Sequence, residues 1–139
     1  MEEGPDADAV DAGNLSWLMT SLDRYGWPEG DIDSQNAWIL CQHGDLSAVR
    51  RCLELGQGIA DPQHIALLTD TERALAGQPQ VYGTRVKLVE GVVRPCPIEG
   101  DVDARRAEVG WPPLSEYLAQ FEAPGRVVST EPWPACPLE

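Results

Sequence analysis

The chain has 139 residues, of which 42% are hydrophobic, and a formal charge of −13 from 23 acidic and 10 basic side chains. This length and content suit one domain with a modest core. The charge argues against nucleic acid and anionic membranes as partners, because no basic excess is present to neutralise phosphates. It is compatible with a basic protein partner.

The N-terminal residues 1–12 contain five acids, no aromatic residue and no hydrophobic period, so they are predicted to be disordered. They also lack the apolar core of a signal peptide. No run reaches the roughly 20 apolar residues of a membrane span. We therefore expect a cytoplasmic protein. Its four cysteines form no CxxC pair and are expected to be free thiols.

Helical spacing and capping residues dominate the first half of the chain. Gly26 and Pro28 supply a stop after the first helix, and glycines end the later ones. The predicted helices run from Asn14 to about Tyr25, from Ser34 to about His43, from Asp45 to Gly56, and from Asp61 to about Ala76.

The second half begins with two apolar segments that predict a β-hairpin turning at Glu90-Gly91. Pro95 and Pro97 predict that its second strand lies at a sheet edge. Asp101 is predicted to cap a short helix, and a last helix is predicted for 114–121. The sequence thus predicts an α+β fold: a mainly helical single domain over 13–122 with one hairpin, followed by a loose proline-rich tail over 123–139.

His43 ends the second predicted helix beside Gln42. Histidine titrates near neutral pH and is the usual general acid or base; the alternative is a histidine that binds helix-end carbonyls. His64 falls on an apolar helix face and is expected to be a hydrogen-bonded core residue. Asp70 lies at the edge of the same face, where a carboxylate needs a partner. Arg73, one turn on, is the simple structural partner.

The segment QPQVYGTRV, residues 78–86, places polar side chains at the start of a predicted strand. Gln80, Tyr82 and Thr84 would share one face by strand alternation, with Arg85 beside them. A glycine between Tyr82 and Thr84 is typical of a close backbone approach. The segment is either an exposed strand face or the edge of a binding site.

Asp101, Asp103, Arg105 and Arg106 follow in the short helix. One arginine of the pair can point inward and bind a carboxylate or phosphate in a bidentate manner; surface ion pairs are the alternative. The acidic residues and histidines match no metal-site spacing. The sequence also contains neither a phosphate-binding loop nor a nucleophile elbow, so no metal and no cofactor are expected.

In this order the motifs resemble an uncharacterised bacterial family of unknown function with the pattern QH…ALLxDR…GxxQxYGT…VDxRRxxxGLxPLxxY. The resemblance covers about residues 22–120. It departs where Glu72 and Arg73 stand near the pattern's arginine, and where Trp111-Pro112 replaces a shorter apolar link. The matching positions are Gln42, His43, Leu67, Leu68, Asp70, Gln80, Tyr82, Gly83, Thr84, Asp103, Arg105, Arg106, Gly110, Pro113, Leu114 and Tyr117.

A pattern rich in polar residues favours binding or chemistry over packing. The first hypothesis is therefore a small enzyme that acts on a polar metabolite by metal-free acid–base catalysis, as hydrolase, lyase, isomerase or cyclase. Its catalytic residues would be His43, Asp70, Tyr82 and Arg106. Its substrate-binding residues would be Gln42, Gln80, Thr84, Arg85, Asp103 and Arg105. The second hypothesis is an acidic, immunity-type protein that neutralises a basic partner. The third is a buried structural network.

Overall fold

The computed structural model describes residues 7–136, with side chains from residue 13 onward. No helix in this range is long and apolar enough to cross a membrane. The fold is α+β and mainly helical, as predicted. The elements are α1 (Ala7–Tyr25), α2 (Asp31–Cys41), α3 (Leu46–Gly56), α4 (Pro62–Leu75), β1 (Val86–Val89), β2 (Val92–Pro95), α5 (Val102–Glu108), α6 (Leu114–Ala119) and β3 (Val127–Val128).

The chain forms two compact units, Met1–Leu68 and Thr69–Glu139. The single globular domain over 13–122 stays a prediction. The division falls within α4. Each unit has its own architecture: the first is built from helices, and the second contains the sheet and the two short helices.

The core of the first unit is a cluster of apolar side chains from α1, α2 and α3. Trp27 closes it after α1, and its indole N–H donates to the Ser34 hydroxyl over 2.7 Å. This bond explains why α2 does not begin at Ser34 as predicted. The helix begins at Asp31, with Gly30 as an N-cap that makes no side-chain bond. The buried members are Leu18, Leu22, Trp27, Ala37, Cys41, Val49, Cys52, Ala60 and Leu68.

Helix α1 begins at Ala7, seven residues before the predicted cap at Asn14. Part of the segment predicted to be disordered, residues 7–12, is therefore helical, while residues 1–6 lie outside the described range. Other caps are confirmed: Asp45 accepts from the Ala48 N–H, and Asp101 from the Ala104 N–H.

The expectation of free thiols is wrong, because all four cysteines are paired. Cys41, the last residue of α2, is bonded to Cys52 on the buried face of α3. Cys96, directly after β2, is bonded to Cys136. The prediction rested on the absence of a CxxC spacing. The fold instead joins cysteines that are 11 and 40 residues apart.

His64 stacks on Trp38 in the first unit, with ring centroids 4.2 Å apart and ring planes within 5° of parallel. The histidine was expected to be hydrogen-bonded. Within the described range, neither His64 Nδ1 nor Trp38 Nε1 has a partner, although both atoms are buried. Ring stacking, which requires no hydrogen bond, accounts for the position of the histidine.

The sheet of the second unit contains the predicted hairpin. Strands β1 and β2 are antiparallel, with Val86 opposite Pro95 and Val89 opposite Val92. Glu90 and Gly91 form the turn with φ values of 49° and 80°. Positive φ at both positions is the backbone of the two-residue turn that matches strand twist.

Strand β2 was predicted to lie at the edge, but it is central, because β3 pairs with it in parallel. The pairing uses Val92 and Val93, which precede the prolines and keep their N–H groups. The predicted loose tail is therefore attached through residue 136. Its Trp133 N–H donates to the Pro95 carbonyl, and a disulfide follows three residues later. Residues 137–139 lie outside the described range.

Candidate functional site

Asp70 projects from α4 into the loop between that helix and β1, and none of its surface is exposed. Its Oδ1 accepts from the backbone N–H groups of Val81 and Tyr82, at 2.8 and 3.0 Å. Its Oδ2 accepts from the Thr84 N–H at 3.0 Å and the Thr84 hydroxyl at 2.7 Å. Four donors occupy the lone pairs of an ionised carboxylate. Asp70 therefore holds the loop in shape.

The predicted partner of Asp70 was Arg73, and this prediction is wrong. Arg73 instead pairs with Glu99 over 2.9 Å. A carboxylate with three converging backbone N–H groups needs no cation beside it, since these bonds are charge-assisted. The partners of Asp70 are 11 to 14 residues away, so helical spacing did not indicate them.

Gln80 closes the same loop from the other side and is 2% exposed. Its amide nitrogen donates to the carbonyls of Arg85 and Cys96, at 3.0 and 3.1 Å. Its amide oxygen accepts from the Arg85 N–H at 2.9 Å. Its backbone bonds to Pro97 and Glu99 on the far side of β2. The Gln80 side chain thus bonds both to the backbone of Arg85 and to Cys96, and so holds Arg85 next to the sheet.

Residues 81–85 are a loop, whereas the sequence predicted a strand from residue 81. Gly83 has a φ of 69°, which breaks strand alternation, so Tyr82 and Thr84 do not share a strand face. A Cβ at Gly83 would lie 3.0 Å from Leu114 Cδ1 and 3.1 Å from Val102 Cγ2. The polar residues of the segment therefore stabilise a turn, and Gly83 allows α5 and α6 to lie close to the loop.

Arg106 points inward, as predicted for one arginine of the pair, and is 2% exposed. Its partners are backbone carbonyls: Nε donates to Pro112 at 2.7 Å and Nη1 to Tyr82 at 2.9 Å. Its guanidinium lies over the rings of Trp111 and Tyr117, 5.2 and 4.7 Å from their centroids. Burial lowers the pKa of Arg106. Arg105 lies on the surface near Glu108.

Two further polar residues of the motif also bind backbone atoms. The Tyr117 hydroxyl donates to the Thr84 carbonyl over 3.0 Å, and Asp103 accepts from the Leu114 N–H over 2.9 Å. The Tyr82 ring meets the Trp111 ring edge-on. Burial raises the pKa of Tyr82 and of Tyr117.

These residues are joined by hydrogen bonds to backbone atoms of the loop or of the segments beside it, and they are called the loop network here and below. Its members Asp70, Gln80, Tyr82, Thr84, Asp103, Arg106 and Tyr117 all belong to the second unit. His43 and Gln42 follow α2 in the first unit, and the His43 side chain is exposed. The bonds of the loop network are made without them. The third hypothesis, a structural network, describes this geometry directly.

A cleft of about 760 Å³ lies beside the network in the second unit. Its walls come from the end of α4, the start of the loop, the sheet and the segment 134–136. Two predicted substrate-binding residues, Gln80 and Arg85, line this second-unit cleft. Three of the predicted catalytic residues belong to the second unit but do not line the cleft: Asp70, Tyr82 and Arg106.

Sequence reasoning missed Lys87 and the Cys96–Cys136 disulfide as parts of the cleft wall. A signal for Lys87 was present, because it is the sole lysine of the chain and follows Arg85 at a two-residue spacing. No comparable signal existed for the disulfide, whose cysteines are 40 residues apart. In the described part of the chain, no three His, Cys, Asp or Glu side chains are grouped to hold a metal ion.

Comparison with known proteins assigns the chain to a family and goes no further. No curated protein and no solved structure matches the chain. One family matches residues 8–127, which include α2, α3, α4 and the whole loop network. The chain therefore belongs to the family of unknown function DUF6624.

Proposed function

We propose that the protein binds a small molecule in the second-unit cleft. The observation that carries this proposal is the cleft itself, at about 760 Å³ with Gln80 and Arg85 in its walls. Its size falls within the roughly 300–1,000 Å³ typical of small-molecule sites. Such sites combine apolar walls with a few polar groups, and this cleft pairs proline and leucine side chains with a guanidinium.

The loop network supports binding because it makes one wall of the cleft rigid. Gln80 holds both backbone groups of Arg85, while Asp70 fixes the turn that precedes it. A ligand-binding side chain on a fixed backbone loses less entropy when it binds. The polar motif residues therefore contribute to the cleft indirectly, because they position Arg85.

Acid–base catalysis by His43, Asp70, Tyr82 and Arg106 stays a prediction. The arrangement weighs against it, since the oxygens of Asp70 accept four hydrogen bonds within the chain and Arg106 donates to two carbonyls. A general base has to be within reach of the proton that it removes. Binding without chemistry requires no such group.

The proposal is tested by titrating the ¹⁵N-labelled protein with a library of small polar compounds. Amide shifts should change at residues 77, 78, 80, 85–87 and 96. Ala135→Trp, which places an indole in the cleft wall, should abolish these changes. Ala123→Trp, at an exposed position elsewhere in the same unit, should leave them intact. Compounds that shift only residues outside the cleft, or bind A135W unchanged, would refute the proposal.

The expectation of a cytoplasmic location also stays a prediction, and the disulfides weigh against it. Structural disulfides persist mainly in oxidising compartments, while cytosolic thiols are kept reduced. Both bonds join buried or partly buried cysteines and are therefore structural in character.

A basic protein partner is a second candidate, favoured by the distribution of charge. Residues 1–68 contain 12 acidic and 3 basic side chains, against 11 and 7 in residues 69–139. The first unit also exposes large apolar side chains: Trp17 is 67% exposed and Tyr25 76%. Aromatic residues within a charged rim are typical of protein-binding surfaces.

This candidate predicts two separable effects on binding to a basic protein. Affinity should fall steeply as NaCl rises, because exposed charges are screened. Affinity should also fall when Trp17 is replaced by serine, because an aromatic anchor is lost. Titration calorimetry measures both. Binding that depends on salt but not on Trp17 would reduce the interaction to general charge attraction and refute a specific partner site.

A further inference from the structure

We infer that the ligand of the second-unit cleft is an organic anion, with a carboxylate or phosphate bound by Arg85 and Lys87 and an apolar body against the apolar lining residues. This inference rests on the proposed function and names its ligand class. Arg85 and Lys87 are the charged residues among those that line the cleft, and both are cationic. A positive site stands out in a chain of formal charge −13.

Arg85 is placed to bind an anion. Its backbone is held at both ends, as its N–H donates to Gln80 and its carbonyl accepts from Gln80 and from Cys96. Its side chain makes one bond within the described residues, a 3.4 Å contact to the neutral Thr71 hydroxyl. A guanidinium carries five N–H donors in a planar fork that matches a carboxylate or phosphate. Most of those donors are left for a ligand.

Lys87 adds a second positive charge to the lining of the cleft. It lies in β1, two positions after Arg85, which precedes the strand, and both residues line the cleft. Its carbonyl accepts from the Trp133 indole N–H at 3.2 Å, which ties this position to the C-terminal segment. An ammonium group acts as a point charge, so it strengthens anion binding without fixing the orientation of the anion.

The remaining walls argue for an organic body rather than a bare inorganic ion. Leu75, which is 49% exposed, is one of the residues that line the cleft. Pro79, Pro97 and Pro134 contribute apolar rings, and the Cys96–Cys136 disulfide also lines the cleft. A free phosphate would fill a small part of about 760 Å³ and leave these surfaces wet. A ligand with one charged end and one apolar end would contact both the cationic and the apolar lining residues.

The test is a titration series in which only the charged end of the probe changes. The probes are 4-phenylbutyrate, its neutral amide, the corresponding amine, phenyl phosphate and inorganic phosphate. Calorimetry gives affinity, and amide shifts of residues 77, 78, 80 and 85–87 show where each probe binds. We expect the carboxylate and phenyl phosphate to bind at least tenfold more tightly than the amide. The amine and inorganic phosphate should bind more weakly still.

Variants assign the effect to the two cations. Arg85→Gln should reduce carboxylate affinity at least tenfold, and Lys87→Gln severalfold. Arg85→Lys, which keeps the charge but loses the planar fork, should fall between wild type and Arg85→Gln. Arg126→Gln, at an exposed position of the same unit, is the matched control and should change nothing. The bonds that hold residue 85 to Gln80 are made by its backbone, so the Arg85 substitutions spare these bonds.

The outcomes separate this inference from the proposed function. If the amide binds in the cleft as tightly as the carboxylate, the anion inference is overturned and the cleft remains a binding site. If no probe shifts the cleft residues, both fail. Inorganic phosphate that binds as tightly as phenyl phosphate would overturn the organic part of the inference. Anion affinity that survives the Arg85→Gln, Lys87→Gln double variant would overturn the assignment to these residues.

Discussion

In the second unit, individual side chains make the hydrogen bonds that backbone groups of the loop would otherwise make with other backbone groups. Asp70 and Gln80 bind backbone groups of the loop, and Arg106 and Tyr117 bind two of its carbonyls. A loop that is neither helix nor strand has to satisfy these groups by other means, because buried unpaired polar groups are costly. Polar residues at motif positions therefore have a structural explanation here.

What the sequence predicted at this scale was which residues matter, rather than what they bind. The inward direction of one arginine was predicted, and it is Arg106. Its partners were expected to be a carboxylate or phosphate, but they are the carbonyls of Pro112 and Tyr82. Backbone acceptors leave no mark in a sequence, since every residue has one.

Stability at alkaline pH should depend on Tyr117. Burial raises its pKa in the folded state, so the folded protein holds this proton more tightly than the unfolded chain. That contribution is complete below the unfolded pKa of about 10 and is lost as pH rises through the higher folded value. Tyr117→Phe should lower the unfolding free energy at pH 7 by about 1 kcal/mol, because the bond to Thr84 is lost.

The same variant should flatten the alkaline loss of stability. Urea unfolding between pH 8 and 11 measures this loss. Tyr82, whose pKa is also raised, remains in the variant and should keep part of the slope. An unchanged slope in Y117F would show that the proton of Tyr117 is not linked to folding.

The ends of helices and strands lie where capping and turn residues predicted them, except where a tertiary hydrogen bond uses the same residues. The caps at Asp45 and Asp101 and the turn at Glu90-Gly91 are as predicted. The start of α2 is not, because Ser34 is bonded to Trp27. Strand β1 begins late because the loop network holds residues 81–85 in another conformation. The central place of β2 depends on β3, whose two residues are too short to predict.

Gly83 should be the least replaceable glycine of the loop. Alanine there meets two costs: a left-handed φ of 69°, and contacts of 3.0 and 3.1 Å to Leu114 and Val102. Together these should lower the unfolding free energy by about 2–4 kcal/mol. Gly100→Ala is the matched control, with a φ of 72° but no atom within 4 Å, and should cost only about 1–2 kcal/mol.

Urea midpoints of the two glycine variants give the comparison directly. The difference between them isolates the packing of α5 and α6 against the loop. Equal losses in G83A and G100A would show that the close approach at Gly83 contributes nothing beyond backbone strain.

At the scale of the whole chain, the sequence did not indicate the two disulfides or the division into two units. The two disulfides join cysteines that are 11 and 40 positions apart, and neither spacing is distinctive. The fold class was predictable because helical periodicity covers most of the first half. The division into two units was not, because it falls inside the continuous helix α4.

Reduction of the disulfides should destabilise both units. Loop-closure entropy predicts about 3 kcal/mol for the link from Cys41 to Cys52 and about 4 kcal/mol for that from Cys96 to Cys136. Melting with and without a reductant, together with Cys41→Ser/Cys52→Ser and Cys96→Ser/Cys136→Ser double variants, separates the two. Four reactive thiols in the untreated folded protein would contradict the pairing.

The central claim is that the polar motif residues hold a loop rather than perform chemistry. Thermal melting of Asp70→Asn, Arg106→Ala and His43→Ala beside the wild type tests it most directly. Asp70→Asn places an amide N–H against N–H donors in a buried site, and Arg106→Ala leaves two carbonyls without donors. Each should cost at least about 2–3 kcal/mol, or roughly 10 °C for a chain of this size.

His43→Ala, at an exposed position, should melt within about 2 °C of the wild type. This pattern, two large losses and one negligible change, is the result that the account predicts. Active-site groups are often held at a cost to stability, so their removal can stabilise an enzyme. Asp70→Asn and Arg106→Ala proteins that melt at or above the wild-type temperature would contradict the structural role and restore the catalytic one.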